Sequence, residues 1–459
     1  MRQLRPAAPK GWPDDPRRPP TETLMRPILL SLLLGLATSA AATAFAANLG
    51  DIYRQARQND ATYAAAYASY KAGLEQLPQG RATLFPSLDL SASAAQRDAD
   101  SNGSTRSSEP YGFSLKLTQP LYRKQSLEGF AQARLRSILA EQQLKQAEQA
   151  LILRVAEAYF GVLEAEDKLA TAGAQKAAIA EQLALARRSF EVGVATIVDT
   201  HEAQARFDAI TAEEIAARNT LEIARRSLEK LILAEAPALL RLSATAGVRL
   251  PEPNDMAAWV TQAEAGNLGV AIGQTNETIA RREIARQRGG YLPNLDLAAS
   301  YSDNRNSTAT SETGDTQSTQ IGLELNWNLF QGGATGSRVR EAIANQEKAR
   351  FELDAARRQA ILDARSAFLG VQSGAARVSA LGQAELSSET QLKSTQLGVE
   401  VGVRTGVDVL DAQQQLFGAR RDLAAARYAA LLAGLQLKAA AGSLGEDDIQ
   451  AIDALLQKP

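Results

Sequence analysis

FEVGVATIVDTHE at residues 190–202 and VEVGVRTGVDVLD at residues 399–411 are one peptide written twice, 209 positions apart. The echo extends outward from that stretch. LFPSLDLSAS (84–93) returns as YLPNLDLAAS (291–300), and SLKLTQPLYR (114–123) returns in outline as GLELNWNLFQ (322–331). AYFGV (158–162) returns as AFLGV (367–371). A near-constant offset over four segments means one structural unit duplicated, and a period this long marks a doubled half rather than a short solenoid repeat. The expected organisation is an upstream extension with an export signal at 1–46, then a first repeat at 47–250 made of a helix, two strands and a long helical hairpin. A second repeat follows at 251–459, ending in a segment that lies at the middle of the rod.

Composition narrows the function. Cysteine is absent, which removes disulfides, thiolate metal sites and catalytic thiols. One His leaves little for a transition-metal site, and a formal charge of −2 argues against nucleic acid as a partner. Alanine is abundant and aromatics are 5%, which suits long helices packed closely.

Met25-Arg26 followed by PILLSLLLGLATSAAATAFAA reads as a secretory signal: a positive start, an apolar stretch, then small residues at Ala44-Phe45-Ala46. So late an apolar core places the translation start at Met25. Residues 1–46 hold six Lys/Arg and three Asp/Glu, which leaves 44 against 49 and a net charge near −5 after cleavage. No other stretch approaches the roughly 18 apolar residues of a membrane helix.

A second kind of membrane signal is present. Leu88, Leu90, Ala92 and Ala94 alternate with Asp89, Ser91 and Ser93, and Tyr111, Phe113, Leu115 and Leu117 alternate with Gly112, Ser114, Lys116 and Thr118. The second half repeats both: Leu295, Leu297, Ala299 and Tyr301 oppose Asp296, Ser300 and Ser302, and Ile321, Leu323, Leu325, Trp327 and Leu329 oppose Gly322, Glu324, Asn326 and Asn328. Strands of about ten residues, apolar out and polar in, are what an outer-membrane barrel requires. Phe85, Tyr122, Tyr291, Trp327 and Phe330 flank them as an interfacial girdle. The polar stretches 97–110 and 303–318 read as loops outside the cell. Two hairpins of a soluble sheet are the plainer alternative. In lipid, four strands leave unpaired edges, so the chain must oligomerise; two copies give eight strands and three give twelve.

The remainder reads as helix. From about 124 to 197 there is no Pro, and Leu144, Ala147, Leu151, Val155, Ala158, Val162, Ala165 and Leu169 form a seam; Ile361, Ala364, Phe368, Val371, Ala375 and Val378 form its counterpart. Some 70 residues of helix span on the order of 100 Å. After each Gly-containing turn comes a helix half as long, at 199–235 and 408–441, and two more half-length helices at 48–83 and 257–289 lead into the strands. The stretch 236–256 and the tail 442–459 fall where half-helices meet.

Thr196-x-x-Asp199 and Thr405-x-x-Asp408 fit the helix-start capping box, with a channel role as the second reading of Asp199 and Asp408. Asp411 lies one turn after Asp408 on the same face, and capping does not require it. In a trimer these two positions place six carboxylates around a narrow mouth, where they would repel, raise one another's pKa and bind multivalent cations. Arg404 by default is a solvated surface arginine, His201 likewise a solvated residue, and the pairs Val192-Gly193 and Val401-Gly402 are helix-end turns.

The paired VGVATIVD and VGVRTGVDVLDA segments, the two LPxLDL-like strand entries and the run LAAARYAALLAGLQLKAAAGSLGEDD (423–448) closely resemble the TolC family of outer-membrane channel proteins. The resemblance covers essentially the whole mature chain. It implies a mainly α fold with β: a homotrimer whose twelve strands, four per chain, form one outer-membrane β-barrel continuing into a long periplasmic α-helical barrel. It further implies a passive exit duct, embedded in outer-membrane lipid, that docks a periplasmic adaptor protein and an inner-membrane transporter. The duct serves efflux or type I secretion of drugs, toxic small molecules or proteins, with no cofactor. By resemblance Asp408 and Asp411 match a cation-favouring constriction ring, and Arg404 matches a gate arginine bonded to the neighbouring hairpin at Asp199. The tips around Val192, Gly193, Thr196, Val401, Gly402 and Thr405 match the adaptor-docking ends. Val399 stands where the family has a gate tyrosine and Val198 where it has a threonine, so a looser closure is expected. No nucleophile elbow, phosphate loop, dinucleotide fingerprint or metal motif supports an enzyme. A structural periplasmic coiled-coil spacer without a channel is the remaining alternative.

Overall fold

The computed structural model describes residues 46–101, 103–243, 247, 249–308 and 315–457. The export-signal reading, and the tail end Lys458-Pro459, lie outside them. Within residues 46–457 the elements run as α1 (Leu49–Asn59), α2 (Ala61–Leu74), α3 (Gln76–Ala82), β1 (Ser87–Ala94), β2 (Arg97–Ser101), β3 (Ser104–Tyr122), α4 (Lys124–Glu191) and α5 (Ile197–Ile232). Then come β4 (Arg241–Leu242), α6 (Met256–Gly266), α7 (Leu268–Arg288), β5 (Asn294–Thr308), β6 (Thr316–Asn326), α8 (Ala334–Glu400), α9 (Gly406–Ala440), α10 (Glu446–Asp453) and β7 (Leu456–Gln457). Among the described residues no helix is long and apolar enough to cross a membrane.

The long helices α4 and α8 hold 68 and 67 residues, so each is on the order of 100 Å long. The half-length segments expected at 48–83 and 257–289 are broken instead. Asp60 accepts from the Tyr63 N–H and restarts the chain as α2, and Asn267 accepts from the Val270 N–H and restarts it as α7. A short polar side chain that caps its own downstream amides terminates one helix and begins another without a visible break in the apolar pattern. Glycine and alanine let these segments lie close on α4. A Cβ on Gly73 of α2 would overlap the Ala140 methyl, and one on Gly80 of α3 would overlap that of Ala133.

The four principal strands form one antiparallel sheet in the order β1-β3-β5-β6, with β2 paired to the far part of β3. Register partners share a face. Leu88, Leu117, Ala299 and Ile321 make one apolar row, and Ser91, Ser114, Ser302 and Ser318 make a serine row on the other side. Hydroxyl pairs Ser91–Ser114 and Ser302–Ser318, each 2.8 Å apart, tie that second row. Leu90 is 71% exposed and Ile321 77%, so the apolar side is bare. Both outer strands, β1 and β6, carry an unpaired edge.

Two strand expectations are corrected. Within the stretches 97–110 and 303–318, read as loops, residues 97–101, 104–110, 303–308 and 316–318 are strand, because the backbone ladder continues past the apolar band on polar side chains. Ser101 pairs with Ser104, and Gly103 just before Ser104 has φ 80°, a conformation glycine adopts freely. At the other end β6 stops at Asn326, so Trp327 and Leu329 lie beyond it; the Trp327 indole N–H donates to the Tyr291 carbonyl at 3.0 Å.

In the first half strand passes to helix without slack. Arg123 alone separates β3 from α4, and its guanidinium forks onto the buried Asp296 carboxylate of β5 at 2.7 and 2.6 Å. The thickest core sits halfway along α4, where Leu151, Val155, Tyr159, Phe160, Val162 and Leu163 meet α1, the ends of α5 and α9, and α10. Here β4 pairs β7, the Asp453 carboxylate accepts from the amides of Leu49 and Gly50, and the buried Tyr159 hydroxyl donates to the Leu240 carbonyl at 2.8 Å. Burial raises both the Tyr159 phenol and the Asp453 carboxyl above their ordinary values. The stretch after α5 and the C-terminal tail are thus knitted to the start of α1.

Candidate functional site at the hairpin tips

At the end away from the sheet each long helix turns back on itself, and the two turns are built alike. Val192 N–H donates to Arg188, Gly193 to Phe190 and Val194 to Ser189; Val401 donates to Leu397, Gly402 to Val399 and Val403 to Gly398. The bond reaching back five residues, beside one reaching back three, is the Schellman arrangement, which needs a left-handed residue. Gly193 and Gly402 supply it with φ 78° and 79°. The next helix then begins on a threonine cap. Thr196 N–H and hydroxyl donate to the Asp199 carboxylate at 2.9 Å each, and Thr405 does the same to Asp408 at 2.8 and 2.9 Å. Asp199 and Asp408 thus occupy the capping positions that the spacing prescribes. These bonds leave the side chains of Val192, Val194, Val401 and Val403 in solvent, Val194 at 82% exposure.

Within one chain Asp408 is held below its ordinary pKa, first by the Thr405 backbone N–H, then by its hydroxyl and by Arg404. The Arg404 guanidinium lies 3.9 Å from Asp408 in its own turn, and no bond joins it to Asp199 among the described residues. Its aliphatic stem rests on Gly398, where a Cβ would come within 2.7 Å of the Arg404 Cγ. Val399 is half-buried at the end of α8, and Val198 and His201 are exposed.

Asp411 is joined to a residue that sequence reasoning missed. Arg206 of α5 donates to the Asp411 carboxylate at 2.8 Å, to the Gln414 side-chain carbonyl at 2.7 Å and to Glu202 at 3.1 Å. Beside it Leu410 is buried against Ala203 and Ile210, so α9 is seated on the α4–α5 hairpin. Lower down, Arg421 meets Glu213 at 3.2 Å. The 209-residue offset held the signal: it aligns Glu202 with Asp411 but sets Arg206 against the neutral Gln415.

The profile of the family described as Outer membrane efflux protein matches residues 52–232 and 259–443. Outer membrane protein TolC of Vibrio cholerae is 33% identical over 436 residues, covering 94% of this chain and 98% of that one. The alkaline protease secretion protein AprF of Pseudomonas aeruginosa is 32% identical over 421 residues, covering 90% of this chain and 88% of that one. Among solved structures, the Campylobacter jejuni CmeC outer membrane channel superposes with a TM-score of 0.76 over 89% of this chain and 90% of that one, at 16% identity, a likeness of fold.

Proposed function

Because the chain belongs to the outer membrane efflux protein family, we propose that three copies assemble in the outer membrane as the exit duct of an efflux or type I secretion system. The observation that carries this reading is the sheet: a bare apolar face, a serine-lined opposite face and two unpaired edges. Lipid contains no water to satisfy edge amides and carbonyls, so each outer strand has to find a strand of another copy. Three copies give twelve strands, a ring wide enough to conduct. A periplasmic coiled-coil spacer has no use for such a face, which is why the duct reading is preferred.

In this reading the chain performs no bond chemistry; it binds, aligns and opens. The exposed valines at both tips are the contact for the helical hairpins of a periplasmic adaptor, and glycine at the turns admits them closely. An inner-membrane transporter supplies the energy. Asp408 and Asp411 ring the mouth. Arg404, on a flexible stem above Gly398, exchanges its Asp408 contact for Asp199 of a neighbouring hairpin when the mouth closes. Exposed pairs of this kind contribute about 0.2–1 kcal/mol each, enough in three copies to bias closure and little enough to yield to docking.

A photo-crosslinking residue at Val194 or Val403 in living cells tests the docking arm; it is expected to capture a periplasmic adaptor, and capture of none overturns that assignment. Detergent extraction tests the duct. A trimer that enters planar bilayers and conducts is expected, and a monomer that stays in buffer without detergent rules the duct out.

A further inference from the structure

Arg206 breaks the twofold repetition at the tips. By the 209-residue offset, Glu202 and Asp411 are the same position in the two halves, and Arg206 touches both carboxylates. Its own counterpart, Gln415, has no charge with which to return the favour. The guanidinium therefore bridges hairpin to hairpin, with Nη1 on Gln414 of α9 and Nη2 shared between Asp411 of α9 and Glu202 of its own helix. Its side chain is 27% exposed while that of Asp411 is 56% exposed, so Arg206 covers one side of a carboxylate whose other side stays in solvent.

We propose that Arg206 sets both the charge and the opening of the mouth. With α5 and α9 packed, each Asp411 is neutralised by a neighbour, and only part of the ring's formal charge faces the passage. When the hairpins part, Leu410 leaves its seat on Ala203 and Ile210, the forked bond to Asp411 and Gln414 breaks, and a free carboxylate is delivered to the widened mouth. The duct thus becomes more cation-favouring as it opens. An arginine suits this task because its rigid planar fork fixes the directions of its bonds to Asp411 and Gln414, whereas an ammonium is a point charge with rotatable donors on a flexible stem. The inference rests on the duct reading and on Asp411 facing the passage.

The test uses the full-length trimer in planar bilayers under a potassium chloride gradient. Wild-type protein that fails to conduct counts against the duct itself, separately from Arg206. With a conducting wild type, Arg206→Gln is expected to raise conductance and to move the reversal potential toward potassium. That shift should shrink near 1 M salt, where the screening length is about 3 Å. Adding Asp411→Asn to Arg206→Gln should cancel the shift. Should Arg206→Gln not assemble, Asp411→Asn alone serves, because it leaves Arg206 opposed only by Glu202 and should move the reversal potential the other way. Arg206→Lys keeps the charge without the fork, so it is expected to conduct more than wild type with less change in selectivity than Arg206→Gln. A reversal potential in Arg206→Gln equal to wild type, or a shift that survives Asp411→Asn, overturns the proposal.

Discussion

Thr405 and Asp408 close the first turn of α9 from both directions, each satisfying an amide of the other's residue. Replacing Thr405 by Ala removes a cap worth about 0.5–2 kcal/mol to the helix start. Faster hydrogen exchange confined to the amides of residues 406–409 is the expected outcome; exchange spread evenly along α9 would contradict it. The Asp408 carboxyl is lowered in the folded chain, so its contribution is complete above its unfolded pKa and is lost as pH falls through the lower folded value. Tip exchange should therefore hold steady from neutral pH and accelerate only in acid below the ordinary carboxylate range, and Asp408→Asn should abolish that acid step. Gly398→Ala pushes the Arg404 stem off the helix end, so it is expected to change single-channel conductance in the same direction as Arg404→Ser; a Gly398→Ala channel indistinguishable from wild type would disconnect the two residues. The capping boxes were legible in the sequence, because a threonine and an aspartate three apart have one local geometry to adopt. The link from Arg206 to α9 was not legible, since Asp411 and Gln414 lie more than 200 positions away and only packing brings them within reach.

Among the elements, the long helices follow from an unbroken run without proline, and their ends from glycine at a left-handed position. Of the seam residues named from periodicity, Leu151, Val155, Val162, Ala165, Ala364, Phe368 and Val371 are buried and the others half-buried. What periodicity could not show is where a capped residue interrupts a helix, as at Asp60 and Asn267, because the apolar stripe continues across the break. Nor does polarity separate loop from strand once a barrel's ladder extends beyond the lipid, as in β2 and the far part of β5. Close helix approach gives a direct test: Gly80→Leu forces α3 away from Ala133 and is expected to destabilise the trimer by about 1–3 kcal/mol, read as a lower melting temperature. The α4–α7 contact is acid-resistant by construction. Burial pushes Glu283 up, but hydrogen bonds from Arg286, Gln132 and Gln287 outweigh it and hold the carboxyl down at about 2. That support is fully present above the ordinary carboxylate pKa and is lost only as pH falls through about 2. Glu283→Gln should make the α4–α7 packing more labile at neutral pH while flattening its acid dependence; an unchanged acid profile would assign the resistance elsewhere.

For the whole molecule, the absence of cysteine makes the assembly directly testable. Single cysteines introduced on the edges of β1 and β6 have no internal partner, so any disulfide between them reports on a neighbour. A ladder that ends at three copies is expected, and one that ends at two, or does not form, would replace the twelve-strand ring. The sequence announced oligomerisation through strand count and edge, while the number of copies required resemblance, since eight and twelve strands both close a ring. The direct passage from β3 through Arg123 into α4, pinned by Asp296, has a mechanical corollary. With no hinge between β3 and α4, a twist applied at the tip of that hairpin is stored along α4 itself. A swing of about 20° shared over the 68 residues of α4 asks only about 0.3° of each, well within the gentle curvature helices tolerate. The far end can stay still as an anchored torsion spring while the free end turns.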